Sequence, residues 1–146
     1  MPTPERKYIE ARVKTASREE LIIIVYDVLI QSAQKAVETL RESPNDIQTI
    51  HDNLRRAQQA VATLMGALNF EIGGDLSKNL FRMYEFWHHE LVMANMEKSP
   101  TRVARLLPDF KEFRLTWAEA NRQWRTMQRA DGTTGVTAGG GFMALG

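Results

Sequence analysis

Leu21-Ile22-Ile23-Ile24-Val25-Tyr26-Asp27-Val28-Leu29-Ile30 is the stretch that decides the fold of this 146-residue chain. It is apolar at nearly every helical angle, with Asp27 the one charged position. The capping-box spacing of Ser17-Arg18-Glu19-Glu20 lies just before it, so a helix is predicted from Arg18 to about Glu42. Leu21, Ile24, Val25, Val28, Leu29 and Leu40 supply a core stripe. Ile22, Tyr26 and Ile30 form a second stripe at i, i+4, i+8, rotated off the first.

Three further helices are predicted by the same reasoning. Ser43-Pro44-Asn45-Asp46 separates the first from a second, whose Ile47, Ile50, Leu54, Ala57, Val61, Leu64 and Leu68 keep a three-four spacing until Gly73-Gly74. Asp75 or Ser77 caps a third, with Leu76, Leu80, Met83, Tyr84, Trp87, Leu91 and Ala94 facing inward. Ser99-Pro100 opens the fourth, carrying Val103, Leu106, Phe110, Phe113, Trp117, Ala120, Trp124 and Met127, with Pro108 predicting a kink near Ala104. The short connections favour antiparallel neighbours. The expectation is an all-α chain, an antiparallel up-and-down four-helix bundle at 17–130 with an N-terminal arm or short helix at 1–16. A flexible glycine-rich C-terminal tail occupies 131–146 and ends in an apolar cluster of Phe142, Met143 and Leu145. Two readings of that cluster stand: a solvated tail, or one that docks on an apolar groove of the bundle.

Composition narrows the function. Hydrophobic residues make up 43% and charged residues 25%, ordinary for a globular domain. With 19 basic and 18 acidic residues there is no overall field to draw nucleic acid or anionic membrane. The basic positions Arg114, Arg122, Arg125 and Arg129 suit a helix C-terminus, and Trp117 and Trp124 lie on the seam rather than on a stacking platform. The absence of cysteine excludes disulfides and thiolate metal sites. The N-terminal residues lack an apolar signal region, and the run from Leu21 to Tyr26 is far below the ~20 residues that span a bilayer, so a cytoplasmic protein is expected.

Glu85-Phe86-Trp87-His88 has the spacing of half a di-iron site, but His51 and His89 provide no second half. No nucleophile triad, phosphate loop or zinc pattern is present. The expectation is therefore a protein that is not an enzyme and uses no cofactor or metal. The surplus apolar surface of the first long helix has two accounts. Either that helix is central enough to be contacted on several sides, or it lines a groove that accepts an amphipathic helix of a partner. Tyr8, Ile9 and Val13 of the arm would then cover the Ile22, Tyr26 and Ile30 stripe until a partner displaces them.

Several of these residues resemble a known family in order and spacing. Thr15-Ala16-Ser17, Glu19-Glu20-Leu21-Ile22 and Tyr26-Asp27 are similar to the opening of flagellar secretion chaperones, the FliS family. Leu68-Asn69-Phe70-Glu71, Gly73-Gly74, Leu76-Ser77 and Asn79-Leu80 continue the likeness, as do Met83-Tyr84, Leu91, Ala94-Asn95, Leu106-Leu107, Arg114 and Thr116-Trp117. The resemblance covers roughly Tyr8 to Trp124. It departs from the family in reducing a tyrosine-rich N-terminal stretch to Tyr8 and in adding the glycine-rich extension.

The resemblance implies a cytosolic export chaperone. It would bind the C-terminal segment of flagellin, disordered in the monomer, prevent premature polymerisation and keep it competent for type III export. Family members are thought to dock this cargo at the flagellar export gate. On that basis the partner-binding residues would be Tyr8, Ile9 and Val13 as a displaceable cover, and Ile22, Ile23, Tyr26 and Ile30 as groove anchors. Asn53, Ala57 and Leu64 would form a neighbouring wall. Asn69, Gly73 and Gly74 would fix the tight connection, and Asn79 and Asn95 would satisfy backbone groups of the guest or serve as ordinary capping and loop contacts. A generic helical adaptor for another secretion or signalling partner would share the bundle and the groove without preferring flagellin.

Overall fold

A computed structural model describes residues 3–131. The tail's cluster at Phe142, Met143 and Leu145 lies outside the described residues. Among the described residues there are six helices and no strand: α1 (Pro4–Thr15), α2 (Arg18–Glu42), α3 (Ile47–Gly66), α4 (Phe70–Glu97), α5 (Pro100–Ala104) and α6 (Leu107–Asp131). The bundle consists of α2, α3, α4 and the α5–α6 pair. The long α2, α4 and α6 run for 25, 28 and 25 residues, about 38–42 Å at ~1.5 Å per residue.

Side-chain caps set the starts. Thr3, Ser17, Asp46, Asn69 and Ser99 each accept a hydrogen bond from the backbone N–H three residues on, satisfying amides that no helical carbonyl reaches. The arm is thus a full helix with Thr3 as its cap and Pro4 in its first turn, rather than loose chain. Asp46, not Ser43, caps α3, and Pro44 sits in the preceding turn.

Two breaks differ from the sequence expectation. The second long helix ends at Gly66 instead of Gly73, because Asn69 starts a new helical turn and Ser77 Oγ donates 2.9 Å to its carbonyl. Gly74 then interrupts that helix at φ 52°, ψ −123°, a conformation that side-chain-bearing residues avoid. The expected kink at Pro108 is a full break. Leu106 N–H turns back to Val103 O at 3.0 Å, α5 stops at Ala104, and Pro108 falls in the first turn of α6.

α2 sits at the centre, packed against α3, α5 and α6, while α4 packs on α3 and α5. Ion pairs record the antiparallel course of α2 and α6: Asp27 meets Arg114, and Glu20, nearer the start of α2, meets Arg125 further along α6. At the far end of the α3–α4 pair, Asn95 bonds to His51 at 3.0 Å. α4 and α6 are bridged by rings rather than backbones, with Trp87 4.8 Å from Phe110 and 5.6 Å from Phe113, edge to face.

Candidate functional site

An opening lies where α1 crosses α2 and α3. It measures about 650 Å³, and its walls include Tyr8, Ile9 and Arg12 from α1, Ile24 and Asp27 from α2, and Asn53 from α3. A cleft exists because α1 is held sparsely. Val13 is 44% and Tyr8 64% exposed, so of the arm's three expected covering residues only Ile9 turns inward. Tyr8 borders the cleft from its rim, under the guanidinium of Arg12. On the outer flank a second opening of about 460 Å³ is lined by Arg6, Arg55 and Arg56 with Asp52, a basic margin.

Asp27 is the fixed point of the cleft. Its carboxylate accepts from Arg114 Nε at 2.5 Å and Arg114 Nη2 at 3.4 Å, which ties α2 to α6. Arg12 of α1 approaches the other side at 3.6 Å. The bidentate pair belongs to the bundle; the longer one belongs to the arm. With both partners of the Arg12 contact partly exposed, that pair adds at most about 1 kcal/mol to the arm's attachment. Asn53, at the cleft wall, gives one amide proton to Thr49 O at 2.9 Å and keeps a second N–H and an acceptor oxygen.

The expected anchors are placed elsewhere, and this corrects the stripe assignment. Tyr26 is fully buried, its hydroxyl 2.9 Å from that of Tyr84 and its ring edge-on to Trp87 at 6.4 Å. Burial first, then the neighbouring Tyr84, raises the Tyr26 phenol far above its ordinary value, and burial raises Tyr84 too; Trp117, whose indole N–H only donates, opposes both shifts. Ala57 and Leu64 are fully buried, and Ile22 and Ile23 nearly so, all in the same core cluster. Ile30 is half-buried against that cluster. The physical reason is α2's central position: neighbours on several sides consume the angles that the sequence left as surplus. Ile24, assigned from sequence to the core stripe, is buried as expected at 4% exposure, and it is also the apolar residue of α2 that borders the cleft.

Sequence reasoning also passed over Asp27 and Arg12. The signal was available, since one carboxylate in a ten-residue apolar run needs partners once partly buried. Asn95 is taken by His51 and Lys98, which makes it a brace between α3 and α4 rather than a contact for a guest backbone. Among the described residues, no group of three or more His, Asp or Glu is placed to hold a metal ion, and no helix is long and apolar enough to cross a membrane.

The described residues thus form an all-α bundle with a cleft under its first helix. The chain belongs to the family described as flagellar protein FliS, whose model matches residues 1–124. It is similar to the flagellar secretion chaperone FliS of Bacillus subtilis strain 168, 26% identical over 129 residues that make up 88% of this chain and 94% of the relative. It is also similar to the flagellar secretion chaperone FliS of Vibrio cholerae serotype O1, strain El Tor Inaba N16961. There the identity is 19% over 123 residues, 84% of this chain and 89% of the relative. FliS is a chaperone family, and the chain is a flagellar export chaperone at that level of description.

Proposed function

We propose that this chaperone works in the cytoplasm, where it binds the disordered C-terminal segment of flagellin, blocks its polymerisation and hands it to the flagellar export gate. The observation that carries the reading is α1: a single short helix over a cleft of about 650 Å³, whose ion pair to Asp27 is partly exposed. A 12-residue helix is marginal by itself in water, so lifting it off costs little. Ile24 then becomes an apolar seat, Asp27 a fixed acceptor and Asn53 a polar wall for an incoming helix. A guest that folds on binding gives up ordering entropy for a wide surface, stays monomeric while held, and remains threadable through a narrow channel once released.

Ile9, with Tyr8 at the rim, acts in this scheme as the cover that the guest replaces, while Val13 is exposed and lies outside the cleft lining. Ile22, Ile23 and Ile30 pack in or against the core and would act through the bundle's stability rather than by direct contact. The test is calorimetric titration with a peptide from a flagellin C-terminus, with peptide helicity followed by circular dichroism. Binding with helix gain is expected, and deleting residues 3–15 should tighten it by the reciprocal of the fraction of chains in which α1 is already open. Absence of helix gain would reject the guest, whereas binding indifferent to both that deletion and Ile24→Asp would reject the cleft as its seat.

A further inference from the structure

The bundle has an uncovered apolar surface away from the cleft, at the end where α3 passes into α4. Phe70, Ile72 and Leu76 are 46%, 50% and 44% exposed within seven residues of chain. They are held in place, not loose: Phe70 stacks edge-on to Phe81 at 5.8 Å, and Asn69 caps Ile72 N–H at 3.1 Å. The antiparallel course brings the last turns of α6 to this same end, with Met127 60% exposed there. Exposed apolar side chains grouped at one end of a bundle mark an interaction surface.

The sequence beyond α6 has the composition to occupy that surface. Five of the ten residues 132–141 are glycine, and Phe142-Met143-Ala144-Leu145 comes next. The match to the family model ends at residue 124, before this segment begins. Ten residues, 132–141, separate Asp131 from Phe142. A glycine-rich spacer of that length has a root-mean-square span of about 16–19 Å, the width of one or two helices. A spacer whose mean length matches the distance gives a local concentration in the millimolar range, so even a contact of about 1 mM affinity is well populated within one molecule. We propose that Phe142, Met143 and Leu145 dock on the Phe70, Ile72 and Leu76 surface of the same molecule, forming a second, intramolecular binding site distinct from the α1 cleft.

The chain has no cysteine, which makes a single-site probe clean. A nitroxide on Gly141→Cys of the full chain should broaden the methyl signals of Ile72 and Leu76 selectively, leaving those of Ile9 and Ile24 sharp. Adding Phe142→Ser and Leu145→Ser should remove the effect and speed amide exchange at residues 72–77 by about 3-fold or more. Broadening spread evenly over the surface, centred on Ile9 and Ile24, or growing with protein concentration would overturn the proposal. The last two outcomes would assign the cluster to the cleft or to a second copy. The readout requires no flagellin, so its failure leaves the reading of the cleft untouched.

Discussion

Tyr26→Ala is expected to cost about 3–5 kcal/mol of unfolding free energy, the range for deleting a buried aromatic ring whose site collapses only partly. The side chain has no solvent exposure and lies against Trp87, so little of the void can be filled by water or by a flexible neighbour. Tyr26→Phe keeps the ring and removes only the 2.9 Å hydroxyl contact to Tyr84, which should cost ~1–2 kcal/mol because the second hydroxyl remains buried. A cycle that includes Tyr84→Phe should return a coupling near 1 kcal/mol, as for other residues in contact. Urea unfolding followed at 222 nm measures all of these. With a slope near 2 kcal/mol per molar, typical of a domain this size, Tyr26→Ala should lower the midpoint by ~2 M. The reasoning fails if Tyr26→Ala barely moves the midpoint yet abolishes binding of a flagellin peptide. That pair of results would make Tyr26 a surface anchor after all.

Other consequences rest on the same contacts. Burial holds the Tyr26 and Tyr84 phenols protonated in the folded chain beyond their unfolded values, so their contribution is complete below pH ~10 and is lost as pH rises above it. An alkaline unfolding curve should accordingly soften in Tyr26→Phe/Tyr84→Phe relative to the parent. Gly74→Ala should destabilise by about 1–3 kcal/mol, since nothing crowds a Cβ there but the positive φ is strained for any other residue; an unchanged urea midpoint would mean the break relaxes freely. Asp27→Asn removes the carboxylate shared by Arg12 and Arg114 and should speed amide exchange throughout Pro4–Thr15 several-fold. Exchange that stays at the parent rate would show that the arm's attachment does not depend on the Asp27 carboxylate.

Much of this architecture is written locally. Ser17 and Ser99 cap where their side chains reach the amide three residues on, whatever the rest of the molecule does. The seam residues Leu54, Val61, Trp87, Leu91 and Phe110 fall inside because three-four spacing puts them on one side of each helix. The helix-breaking effect of Pro108 was legible, but its size was not. One missing N–H predicts a kink, while the complete stop at Ala104 also depends on Leu106 bonding back to Val103. Trp124 and Met127 continue the spacing of α6, yet Met127 remains largely exposed, because periodicity continues whether or not a neighbour is there to be packed against.

The candidate site was the less legible part. Tyr8, Ile9 and Asn53 could be named from the chain, and all three line the cleft. Asp27 and Ile24 at the cleft, and Tyr26 in the interior, could not. By itself the sequence determined how many long helices form, where most of them start and break, and which angles of each are apolar, because those depend on hydrogen bonding and geometry within a few turns. Only the tertiary structure decided which apolar angles of α2 are covered, because that depends on how many neighbours surround it and how far the Trp87 and Phe110 rings hold them apart.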